Sequence, residues 1–216
     1  MGVIRNSLNF LSNIKGRRLL IGINVLAYII FKILYIVFYT FDNIILFYNI
    51  QYKLGLPLYY KYVLNQPWSI LTYSFVQDNL LELIVTVSII NIFGKIIEEY
   101  IGKKKLFICY IVSSMFSAII LLIIYNLFEQ LQKSIIIINI IGAQQACACL
   151  IIASAKLLPN YKLQIFPFKN LSVKIVAIII FIGYFIFINE LKPEYLILNV
   201  SAAMLGYLFI SYLQNR

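Results

Sequence analysis

Six long apolar stretches, at about 19–41, 69–93, 105–125, 134–156, 172–189 and 195–213, limit what this chain can fold into. Each approaches the roughly 20 residues that a helix needs to cross the hydrocarbon core of a bilayer. All five prolines (Pro57, Pro67, Pro159, Pro167, Pro193) fall between the stretches or at their edges, as punctuation does. The chain is 62% hydrophobic and 12% charged. A soluble domain is about 45–50% apolar and about 25% charged, so a soluble fold lacks the polar surface to stay dissolved. Disorder is excluded too, because disordered chains are poor in apolar residues. The expected fold class is an all-α membrane protein with six transmembrane helices. A basic segment at 1–18 precedes a membrane domain at 19–214, and the one sizeable outer loop is 42–68. No internal repeat is visible, so an inverted-repeat transporter gains no support.

The net charge of +10 is distributed as topology information and not as a nucleic-acid face. With the N-terminus inside, thirteen Lys and Arg fall on inner segments and four on outer ones, while Lys32 sits within the first span. This predicts both termini on the cytoplasmic side of a bacterial-type cell membrane, with the lipid bilayer as a partner and no nucleic acid. The first apolar run starts near Leu19 and continues past Tyr39, too long for a cleaved signal core, so it reads as a retained span. The outer loop is rich in Tyr and Leu, including Tyr48, Tyr52, Tyr59, Tyr60 and Tyr62, and is expected to lie partly in the outer leaflet or to act as a plain amphipathic anchor. Cys109, Cys147 and Cys149 lie in apolar segments, form no CxxC pair and have no histidine beside them, so they read as packing residues. No metal and no cofactor are expected.

Polar residues inside apolar spans are costly, and they act either as glue between helices or in function. The second span carries Gln77, Asp78, Glu82 and Thr86, the last three at four-residue spacing on one helical face. The fourth carries Gly142, Ala143, Gln144 and Gln145, and the sixth Asn199, Ser201, Ala202 and Gly206. Ala202 and Gly206 make a small-xxx-small spacing that permits close helix approach. Two readings stay open: an amide hydrogen-bond network that locks the bundle, or a substrate or ion pathway.

In order, these residues resemble the rhomboid intramembrane serine proteases over about residues 60–210. Pro67-Trp68 and Thr72 form a W-x-x-x-T approach, followed by Phe75. Phe93-Gly94, Glu98 and Gly102 are similar to the family's G-x-x-x-E-x-x-x-G turn, and Lys103–Lys105 follow it. Gly142-Ala143 resembles the opening of the G-x-S-G nucleophile motif, and Pro159-Asn160-Tyr161 with Phe166-Pro167 the following loop. Asn199, Ala202 and Gly206 fall on the A-H-x-x-G-x-x-x-G pattern. The resemblance implies a six-helix rhomboid-like bundle. It places Gln144 where the family has its serine nucleophile and Asn199 where it has its histidine base. It makes Glu82, Thr86 and Gln77 the equivalents of the oxyanion-binding positions.

The chemistry argues against serine-type endopeptidase activity. A glutamine amide is not a nucleophile at neutral pH, and an asparagine amide is not a general base there. Nucleophile and base must both be present and adjacent for an acyl-enzyme, and losing either costs on the order of 10⁴ to 10⁶ in rate. An ionised Glu82 would repel an oxyanion. Ser113, Ser114 and Ser117 lack a base, Ser201 points to another face than Asn199, and Ser154 has only Lys156 near it. The expectation is a pseudoprotease that binds transmembrane segments of client proteins, or hydrophobic helices, without cleaving them. In it, Gln144 and Asn199 would hydrogen-bond across the former dyad. The alternatives are an intramembrane protease with unorthodox residues, or a six-span transporter or scaffold.

Overall fold

The computed structural model describes residues 16–127, 139–163, 170–187 and 192–215, with side chains to 183 in the third of these ranges. The basic segment up to residue 15, residues 134–138 of the fourth apolar stretch and the Phe166-Pro167 motif lie outside them. The chain is mostly helical. Helix α1 runs Gly16–Thr40, α2 Ile44–Leu54, α3 Tyr60–Asn65, α4 Ser69–Thr72, α5 Leu80–Ile101 and α6 Lys103–Leu127. These are followed by α7 Gln144–Leu157, α8 Val173–Phe187 and α9 Pro193–Gln214. Two short antiparallel pairs complete the described fold: β1 (Leu56–Pro57) with β2 (Asn139–Ile140), and β3 (Lys162–Leu163) with β4 (Leu171–Ser172).

Four of these helices, α1, α5, α6 and α9, are long and apolar enough to cross a membrane. The other two apolar stretches yield shorter helices. The 14 residues of α7 rise about 21 Å, less than the roughly 30 Å hydrocarbon core, and α8 is apolar over Val173–Gly183. The expected six equal spans therefore become four span-length helices and two shorter ones among the described residues.

The second apolar stretch is also redistributed. Residues 69–75 form α4 and a 3-10 turn at Tyr73–Phe75, and α5 begins only at Leu80. The polar run Gln77-Asp78-Asn79 decides this. The Asn79 side chain accepts the Glu82 backbone N–H at 2.7 Å, capping a helix that starts after it. At its far end α5 continues past Phe93 to Ile101, through charged residues that stay helical. It stops at Gly102, whose φ of 93° suits glycine. Helix α9 begins with Pro193 at its first position and Glu194 in its first turn, both favourable at a helix N-terminus.

Helix α7 is the centre of the molecule. Every residue from Gln144 to Ile151 is buried, and α5, α6, α8 and α9 all pack on this helix. Cys147, Cys149, Leu150 and Ile151 join Ile90, Phe93, Ile97, Leu106 and Tyr110 in the main core. The start of α1 meets the turn between α5 and α6. Glu98 accepts the backbone N–H groups of Gly16 and Arg17 and lies 3.8 Å from the Arg17 guanidinium. At the opposite end, α2 and α3 hold Ile45, Leu46, Tyr60, Tyr62 and Leu64 exposed.

Candidate functional site

Of the polar residues singled out in the sequence, Glu82, Thr86 and Gln144 gather near the N-terminus of α7. The β1–β2 pair ties the outer loop to the chain just before α7, with Leu56 opposite Ile140 and Pro57 opposite Asn139. Two residues later Gly142 turns at φ 116°, and its N–H donates to the Tyr73 carbonyl at 2.9 Å. A Cβ at Gly142 would sit 3.2 Å from Glu82 Oε1. Tyr73 is itself fixed, because its hydroxyl donates to the Ser114 carbonyl at 2.8 Å.

This turn brings Gln144 to Glu82. Gln144 Nε2 donates to Glu82 Oε1 at 2.7 Å, joining α7 to α5 within the protein interior. Both residues are buried, at 3% and 8% exposure. Thr86 lies one turn beyond Glu82, buried beside the Cys147 thiol. Asn199, on α9, is 2% exposed.

The expected hydrogen bond between Gln144 and Asn199 is not formed. Gln144 Oε1 and Asn199 Oδ1 both lack a partner among the described residues, and the Gln144 Nε2 amide is committed to Glu82 instead. The Gly142 turn brings the Gln144 amide within 2.7 Å of Glu82 Oε1, which takes the place of Asn199 as its acceptor. Gln77 goes elsewhere as well. Its Nε2 donates to Asn24 Oδ1 on α1 at 3.2 Å, and Asn24 also accepts the Tyr110 hydroxyl at 3.0 Å. Gln77 thus belongs to a buried link between α1 and α6, while Glu82 and Thr86 face α7. The sequence reading missed Asn24, although a lone amide in an apolar run was the available signal. It also missed Asn139, which carries the same signal between Ile138 and Ile140, and Tyr195, which does not.

Gly206 and Ala202 hold α9 against α7. A Cβ at Gly206 would meet the Cys149 carbonyl oxygen at 2.7 Å, so only glycine allows this approach. Ala202 is fully buried.

Among the described residues, the serines and cysteines of α6, α7 and α9 are placed as follows. The helical serines are occupied by their own backbones: Ser113 and Ser114 donate to the Tyr110 carbonyl, Ser154 to Leu150 and Ser201 to Ile197. The three cysteines are free and buried.

Among curated proteins, none matches the chain. A family model described as "Eukaryotic integral membrane protein (DUF1751)" matches residues 23–216, from the first turns of α1 through α9. The chain therefore belongs to this eukaryotic family of integral membrane proteins.

Proposed function

We propose that this integral membrane protein is a rhomboid-like pseudoprotease, which receives transmembrane segments or hydrophobic helices of client proteins without cutting them. The observation that carries the reading is Gln144 at the nucleophile-equivalent position, its amide bonded to Glu82. The lone pair of an amide nitrogen is delocalised and does not attack a carbonyl, and the Asn199 amide has no basic nitrogen. A receiving surface is supported by α8. It makes its main contacts with α7 and β4, and it leaves Ile175, Ile178, Ile179 and Ile182 exposed. The gap between α8 and α5 is where a client helix would enter.

The family is eukaryotic, so the expectation of a bacterial-type cytoplasmic membrane is withdrawn. The orientation proposed keeps both termini on the cytoplasmic side, on the thirteen-to-four bias of Lys and Arg.

The test is a cleavage assay in liposomes with a transmembrane reporter, comparing the unmodified protein with the Gln144→Ser plus Asn199→His double variant. The expected result is no cleavage by the unmodified protein. Cleavage by it overturns the reading and favours a protease with unorthodox residues. Activity in the double variant alone supports a rhomboid-like scaffold that has lost only its chemistry.

A further inference from the structure

A second site lies outside the Glu82–Gln144 pair, at the outer end of the bundle. A cavity of about 370 Å3 opens between α2, the approach to α5, β2 and the start of α9. Its wall includes Tyr48, Gln51, Tyr52, Asp78, Asn139 and Tyr195. Asp78 is the one charged residue among those lining it, and no lining residue is cationic. Gln51 Nε2 donates to Asp78 Oδ1, which leaves the other carboxylate oxygen for a ligand. Asn139 Nδ2 is used on the Gln51 carbonyl at 3.2 Å, while its Oδ1 is buried with no partner among the described residues. Three tyrosines and a carboxylate line a wall suited to an organic cation, since aromatic faces and carboxylates both attract an ammonium group.

The surroundings point to the source of that cation. Lys32 of α1 donates to the Asp78 carbonyl at 2.7 Å and lies over the Tyr28 and Tyr35 rings. Asp78 therefore has a cation at its backbone and a carboxylate on its side chain, the sign pattern that complements a zwitterion. The cavity wall is built from α2, whose Ile45 and Leu46 are exposed, and Trp68 nearby donates to the Lys53 carbonyl at 2.9 Å. Exposed aliphatic residues with Trp and Tyr at the end of the spans mark the headgroup level of a bilayer.

We propose that this cavity is an ammonium-binding site that seats the zwitterionic headgroup of a bilayer lipid. The choline or ethanolamine nitrogen sits against Asp78 and the tyrosine rings, and Lys32 pairs with the phosphodiester that follows it. The site stands apart from the pseudoprotease reading and does not depend on it.

The test uses the full chain in nanodiscs containing equal amounts of choline-headgroup and glycerol-headgroup phospholipid, with native mass spectrometry of the lipid retained after release. The expected result is enrichment of the choline lipid by about tenfold. Asp78→Asn should abolish it, since the amide keeps an acceptor for Gln51 but loses the charge. Replacing Tyr48 and Tyr52 by Ala should weaken the enrichment, while Phe at both positions should preserve it. Equal retention of the two lipids by the unmodified protein overturns the proposal, as does unchanged enrichment in Asp78→Asn. Asp78-dependent binding of soluble tetramethylammonium without lipid enrichment overturns the lipid assignment and leaves a free cation as the ligand.

Discussion

A buried amide gains from its partner chiefly because leaving either group unpaired is expensive. Gln144 and Glu82 are such a pair, 2.7 Å apart between α7 and α5. Glu82→Leu strands the Gln144 amide and should lower stability by about 1–3 kcal/mol. Glu82→Gln keeps an acceptor in place and should cost less than about 1 kcal/mol. Thermal unfolding in detergent separates the two, and equal losses would remove the pair from the list of stabilising contacts. Gly142 makes a second prediction. Alanine there meets both a φ of 116° and Glu82 Oε1 at 3.2 Å. Gly142→Ala should destabilise by about 1–3 kcal/mol, and the loss should shrink in a Glu82→Ala background, which removes the contacting oxygen.

Helix α7 is too short to cross a bilayer and is covered by its neighbours, so its position depends on how closely they approach. The tightest approach is Gly206 on the Cys149 carbonyl, at 2.7 Å for a hypothetical Cβ. Gly206→Ala should therefore cost about 1–3 kcal/mol by overpacking. Gly22→Ala, where nothing lies within 4 Å, should be neutral or slightly stabilising through helix propensity. Parallel unfolding curves distinguish them, and an equal response at both sites would show that α9 does not rest on α7 through this glycine. The serines on α6, α7 and α9 bond to carbonyls of their own helices, a use common in apolar surroundings. This is why the span polarity seen in the sequence overstates the number of groups free for chemistry.

Across the molecule, the start of α1, the α5–α6 turn and the end of α9 share one side, with Arg17, Glu98 and Lys103 gathered there. Lys156 at the end of α7 lies 4.7 Å from the Tyr207 ring of α9, on the same side as these basic groups. The opposite side carries α2, α3 and the cavity beside Asp78. Lys104→Cys should react with a membrane-impermeant thiol reagent only from the cytoplasmic side, and Tyr60→Cys only from the other. The reverse pattern would invert the proposed orientation without altering the fold.

The sequence by itself determined that this chain lives in a membrane. Apolar length and scarce charge are summed properties that need no knowledge of contacts. It also marked the boundaries set by local chemistry, such as Pro193 opening α9 and the small residue at Gly206. It held the polar positions Glu82, Thr86, Gln144 and Asn199, since an amide or carboxylate in an apolar run is conspicuous wherever it ends up. Which of them pair was decided only by the tertiary structure. Gln144 could reach Asn199 or Glu82 with equal plausibility in one dimension. The turn at Gly142, pinned to the Tyr73 carbonyl, aims it at the carboxylate, and Gln77 is drawn away by Asn24. The length of α7 was hidden for the same reason. Hydropathy measures how apolar a segment is, whereas the backbone turn that starts a helix inside the bundle comes from hydrogen bonds to residues some seventy positions away in sequence.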